Sequence, residues 1–173
     1  YAAPTPDENP MRSLEVPDED LRVSIVDRAG KSNSISLRSD SLIVLDILGT
    51  WCPNCMDEVR LLHELYSPQA RFLSVAFERD TNPTSSYERL DVFADELNVD
   101  WDIFLGGKAS KKSAADAFPF LDHVVSFPTT LFIRGNDVMV HSGFNGPATG
   151  ERYIMEKKRF QDQLNGFTSL ENR

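Results

Sequence analysis

The run Leu42-Ile43-Val44-Leu45-Asp46-Ile47-Leu48 is apolar at every position but one. A run without alternation reads as a strand buried on both faces, and so as the centre of a sheet covered on both sides. Two residues later stands Trp51-Cys52-Pro53-Asn54-Cys55. The stretch from Met56 to Ser67 then places Val59, Leu62 and Tyr66 at helical spacing. The chain therefore puts a cysteine pair where a central strand ends and a helix begins, which predicts an α/β fold.

Cys52 and Cys55 are the only cysteines. The first turn of a helix presents unpaired N–H groups and the positive end of the helix dipole, and both favour a thiolate over a thiol. A cysteine of ordinary pKa about 8.5 falls to roughly 3.5–7.5 in such a place. Cys52 is the candidate nucleophile. Cys55, one turn further in, is placed to resolve a mixed disulfide. Pro53 suits the first helical turn, where its missing N–H is no loss, and Trp51 covers the pair with a broad apolar face. Three other readings stand beside this one. A zinc site needs about four ligands, but there is no second C-x-x-C, and His63, His123 and His141 lack ligand-like spacing. A structural disulfide between residues three apart closes too small a loop to stabilise much. Two inert buried cysteines are the third.

The net charge is −9, with no basic run. This argues against nucleic acid and anionic membrane surfaces as partners, since both demand clustered Lys and Arg. The 173 residues suit one domain. No apolar stretch approaches the roughly 18–20 residues of a bilayer span. The opening Tyr1-Ala2-Ala3-Pro4 has neither the basic nor the apolar region of a signal peptide, as expected of a processed or trimmed chain.

Residues 1–20, rich in Pro, Asp and Glu, read as a flexible linker. A domain over 21–167 follows, then a polar tail over 168–173. Within the domain, Leu21–Val26 alternates as a half-buried strand, with Ser34–Leu37 as its hairpin partner across Gly30. Strands are also expected over 73–78 and 101–105, the latter closed by Gly106-Gly107. Helices are expected over 85–97, 111–118 and 151–165. A hairpin joins Thr130–Arg134 to Val138–His141 through Gly135-Asn136-Asp137. The loop from Gly143 to Gly150 lacks the spacing of a nucleotide-binding motif.

With strand, Trp-Cys-Pro-Asn-Cys and helix in view, the chain resembles thioredoxin-fold proteins, and more narrowly the TlpA/ResA-like thiol–disulfide oxidoreductases of bacterial cell envelopes. The resemblance runs from near Leu21 to near Asn165. Asp46, six residues before Cys52, stands where thioredoxins carry a buried acid behind the second cysteine. Phe127-Pro128-Thr129-Thr130-Leu131-Phe132-Ile133 is similar to the cis-proline segment of the family, although Phe127 is bulkier than the usual residue before that proline. Glu78 stands where some ResA-like members carry an active-site glutamate. The segment from Trp101 to about Leu121 matches the inserted strand–helix unit of TlpA-like members.

The resemblance implies a mixed central sheet flanked by helices, with an N-terminal β-hairpin and the insert. It implies thiol–disulfide exchange without cofactor or metal. The catalytic groups would be Cys52, Cys55, Asp46 and Glu78, with Trp51, Pro53, Phe127, Pro128 and Thr129 contacting substrate. The partners would be protein thiols or disulfides and an upstream thiol reductant, in the periplasm or cell envelope, with the chain possibly tethered through its linker. Reduction of protein disulfides is the leading expectation. A disulfide oxidase or isomerase, and a non-catalytic partner-binding domain of a larger envelope protein, are the alternatives.

Overall fold

The central strand is β4, Ile43–Leu48, and all six of its residues are buried. The structure, a computed structural model, describes residues 11–144 and 149–171. Around β4 lie β1 (Met11–Glu15), β2 (Arg22–Val26), β3 (Ser32–Ser36), β5 (Arg71–Glu78), β6 (Asp102–Lys108), β7 (Thr129–Arg134) and β8 (Asp137–Ser142). The helices are α1 (Pro53–Leu65), α2 (Pro83–Leu97), α3 (Lys111–Ala117) and α4 (Gly150–Glu171). They assemble an eight-stranded sheet in the order β1-β8-β7-β4-β5-β6-β2-β3. Strands β4, β5 and β6 are parallel, and the remaining pairings are antiparallel.

Alternation along β4 divides the core. Ile43, Leu45 and Ile47 face a cluster with Leu73, Val75, Phe77, Leu131 and Ile133, covered by Ala114 and Ala117 of α3 and the adjoining Phe118. Val44 and Leu48 face the other way, against Val59 and Leu62 of α1, Leu90 and Phe93 of α2, and Phe160 of α4. Each such Leu, Ile or Phe contributes about 1.5–3 kcal/mol by leaving water. Asp46 alternates with Val44 and Leu48, so it is carried into the α1 face.

Three expectations give way to the structure. The linker expected over 1–20 ends by Met11. Met11–Glu15 pairs with β8, from Met11↔His141 to Glu15↔Asp137, and Val16 is buried with its N–H bonded to the Asn136 carbonyl at 2.8 Å. The acidic, Pro-rich composition around it masks Met11, Leu14 and Val16, which are enough for a short edge strand. Residues 1–10 lie outside the described ones. The tail expected from 168 is instead helical to Glu171, because a Gly inside a helix costs only about 1 kcal/mol and Gly166 does not stop α4. Residues 172–173 again lie outside.

The strand expected to close at Gly106-Gly107 runs on to Lys108. Ala76 pairs with Leu105 but Phe77 with Gly107, so Gly106 is the extra residue of a β-bulge. A Cβ there would stand 2.6 Å from the Phe77 ring and from Val75. Among the described residues no helix is long and apolar enough to cross a membrane.

Candidate active site

Helix α1 begins at the cysteine pair because Pro53 occupies its first position and Cys52 caps it. The Cys52 Sγ accepts the Cys55 backbone N–H at 3.3 Å. Both thiols are unbridged; Cys55 is fully buried and Cys52 nearly so. Cys52 is brought down from the ordinary thiol value to about 7. The hydrogen bond from the Cys55 thiol is the largest cause, the backbone N–H groups of Cys55 and Asn54 add to it, and burial opposes. Cys55 is pushed far up, first by burial, then by its bond to Cys52 and the charge of Asp46. The two thiols thus have opposite characters: one is ready to attack, and the other must first be deprotonated.

Asp46 lies 1 % exposed behind them. Burial lifts it to about 7, the Cys52 charge adds, and a hydrogen bond with Glu58 opposes. Glu58 is fully buried and raised as well, by burial, by Asp46 and by the charge of Glu156, against a hydrogen bond from the Thr130 hydroxyl. Asp46 Oδ1 and Oδ2 and Glu58 Oε2 meet no N–H or O–H donor of other residues. A proton held between the two carboxyls supplies a donor to one oxygen of each, since two facing buried carboxylates would repel.

The rim is built by the loop Gly49–Thr50–Trp51 and the segment Phe127–Pro128. The Trp51 Nε1 donates to the Phe77 carbonyl at 2.8 Å, its ring meets Phe127 edge-on at 5.5 Å, and the Arg79 guanidinium lies 5.4 Å from its centre. Gly49 is required here, since a Cβ would stand 2.3 Å from the indole. The Phe127–Pro128 bond is cis, and the Phe127 carbonyl lies 3.9 Å from Cys52 Sγ, which points its thiol there. Pro53 is exposed, and Trp51 and Phe127 are half-buried, so these three surround the cysteines at the surface.

Two expected site residues are bonded into the scaffold. Glu78 accepts from Thr50 N at 3.2 Å and Thr50 Oγ1 at 2.5 Å, with Arg89 Nε at 3.8 Å. It therefore holds the loop that carries Trp51. Thr129 is 1 % exposed and donates to the Ser126 carbonyl at 2.7 Å, bracing the turn before β7 from inside. The acid that stands with Asp46 is Glu58, which sequence reasoning missed. Its signal was available: Glu58 follows Cys55 by three residues and shares the apolar stripe with Val59 and Leu62, where a solvated acid has no place.

No family model matches the chain, and none of the curated proteins does. Solved structures do. A secreted Mycobacterium tuberculosis disulfide oxidoreductase homologous to E. coli DsbE matches at 18 % identity and TM-score 0.55, over 80 % of this chain and 95 % of that one. MTB dsbF matches at 18 % identity and TM-score 0.60, over 88 % and 98 %. A thiol:disulfide interchange protein of the thioredoxin family from Chlorobium tepidum matches at 18 % and 0.51, over 90 % and 97 %. The chain has the thioredoxin fold. Its structural neighbours are of the kind the sequence resembles.

Proposed function

We propose that the protein is a thiol–disulfide oxidoreductase that reduces protein disulfides in the bacterial cell envelope. The observation that carries this is the contrast between Cys52, lowered to about 7 at the start of α1, and Cys55, held protonated over a carboxyl pair that can take its proton. The Cys52 thiolate attacks a substrate disulfide and expels one substrate sulfur, which takes up a proton. Cys55 gives its proton to the Asp46–Glu58 pair and attacks the Cys52 sulfur, releasing the second substrate thiol. The protein is left as the Cys52–Cys55 disulfide, and an upstream dithiol partner returns its two electrons.

Trp51, Pro53 and Phe127 receive the substrate, and the Phe127 backbone is free to pair with an extended segment as an added strand. A Cys52 value of about 7 matches the poise of thioredoxin, about 7, rather than of the strong oxidant DsbA, about 3.5, and this favours a reductant. Envelope location is supported by a structural neighbour that is secreted.

The test is the redox potential of the Cys52–Cys55 pair, titrated against dithiothreitol. A value near −270 mV supports the reductant, and one between about −120 and −180 mV makes the protein an oxidase or isomerase. Absence of a reversible two-electron couple defeats the redox reading and leaves a partner-binding domain.

A further inference from the structure

A row of polar side chains crosses the sheet beneath α1 and α4. Ser74, Asp46, Thr130 and His141 are successive register partners on β5, β4, β7 and β8. They therefore point to one face, with Cβ atoms roughly 4.5–5.5 Å apart across the antiparallel steps. None is more than 1 % exposed. The surrounding layer is apolar, built from Val44, Leu48, Phe132 and Phe160.

Two helical carboxyls come down on this row. Glu58 of α1 accepts from Thr130. Glu156 of α4, 2 % exposed, places Oε2 3.0 Å from His141 Nε2 and Oε1 3.6 Å from Arg159 Nη1. The Phe160 ring closes edge-on over the imidazole at 4.9 Å, and Met11 of β1 lies opposite on the outer side. Neither imidazole nitrogen makes a hydrogen bond, so the 3.0 Å contact of Nε2 with Glu156 is a charge contact and not an aligned hydrogen bond. Burying this many ionisable groups is costly, and the thiol chemistry uses only Asp46 and Glu58.

We propose that the His141–Glu156 pair is a positioning device for that chemistry: its charges set how tightly the Asp46–Glu58 pair holds its proton, and so the pH at which Cys55 resolves. The inference rests on the oxidoreductase reading. No proton crosses the row. The Cys55 proton goes to the Asp46–Glu58 pair, and the second pair acts by its field alone. Glu156 is one of the charges that raise Glu58, so the two pairs already sense each other. The charges facing Glu156 include His141 from β8, Arg159 from α4 itself and the Glu58 carboxyl from α1, with Asp46 of β4 beyond it; Thr130 of β7 and Met11 of β1 carry none. Negative charge at Glu156 raises the proton affinity of Glu58, and positive charge at His141 acts in the opposite sense.

The two members of the pair therefore act with opposite sign, which a merely structural pair would not do. The experiment is the pH profile, from pH 5 to 9, of the single-turnover resolving step on a disulfide peptide. Glu156→Gln is expected to move its midpoint down by about 0.5 pH unit or more, and His141→Gln up by a similar amount. The double variant is expected to fall between them. Shifts of the same sign, or slower rates at an unmoved midpoint, overturn the proposal. A second measurement needs no variant. Coupling is reciprocal, so the NMR titration of His141 is expected to differ between the dithiol and disulfide forms of the parent. Only His63 and His123 share that spectrum. Equal midpoints overturn the proposal even if a variant fails to fold. A parent without a reversible couple defeats the oxidoreductase reading, and this inference with it. A parent with a normal couple but unmoved midpoints defeats this inference alone.

Discussion

Replacing Asp46 by Asn separates stability from activity in a way the structure makes quantitative. Asp46 rises from an ordinary 3.8 to about 7, chiefly through burial. The folded protein therefore holds a proton that the unfolded chain releases near pH 4. Between those values the native state binds more protons than the unfolded state, so stability falls as pH rises. At about 1.4 kcal/mol per tenfold change in proton affinity, the loss approaches about 4 kcal/mol by pH 7 and then levels off. Asn keeps the shape, donates to Glu58 and has nothing to ionise.

The expected result is a variant whose advantage over the parent in urea unfolding grows by about 2–4 kcal/mol between pH 4 and pH 8. Its thiol–disulfide turnover at pH 7 should fall by ten-fold or more, because a positioned acid–base group typically contributes about 10²–10⁴. A stability difference that stays constant across this range would refute the reasoning, since it would mean that Asp46 does not carry the proton. A variant both more stable and fully active would remove Asp46 from the resolving step.

Two further outcomes follow from the geometry. Alkylation of the reduced protein with iodoacetamide is expected to modify Cys52 with a midpoint near pH 7 and to leave Cys55 unmodified through pH 9; equal reactivity of both thiols would contradict the assigned roles. Gly49→Ala places a methyl group 2.3 Å from the Trp51 indole, so it should destabilise by about 1–3 kcal/mol and shift the tryptophan fluorescence; an unchanged melting curve and spectrum would show that the loop can move aside.

What could be read in the chain was whatever lies within one element. The apolar run of β4, the cysteine pair and the helix after it are contiguous, so periodicity and motif reach them, and Asp46 stands out as the one acid inside an apolar strand. Strand β6 and helix α3 are equally local. What was hidden depends on register or on small numbers of side chains. Met11, Leu14 and Val16 are outvoted by the acids and prolines around them. Thr130, His141 and Glu156 each look ordinary in their own segments and meet only because β4, β7 and β8 align their rows under two helices. Glu78 shows a related limit: a buried acid at a strand end is visible, but its bond to the Thr50 hydroxyl is decided by the fold of the loop.

The outermost strands of the sheet also bear on how the molecule lives among others. Strand β3 reads Ser32-Asn33-Ser34-Ile35-Ser36, with only Ile35 partly covered, and β1 offers Arg12, Ser13 and Glu15 between its apolar contacts. Both are five residues long. Short, polar margins of this kind give a passing unfolded strand few backbone groups and little apolar surface on which to grow. Under the proposed function the rim receives extended chains, and these blunt borders leave such chains few other places to pair.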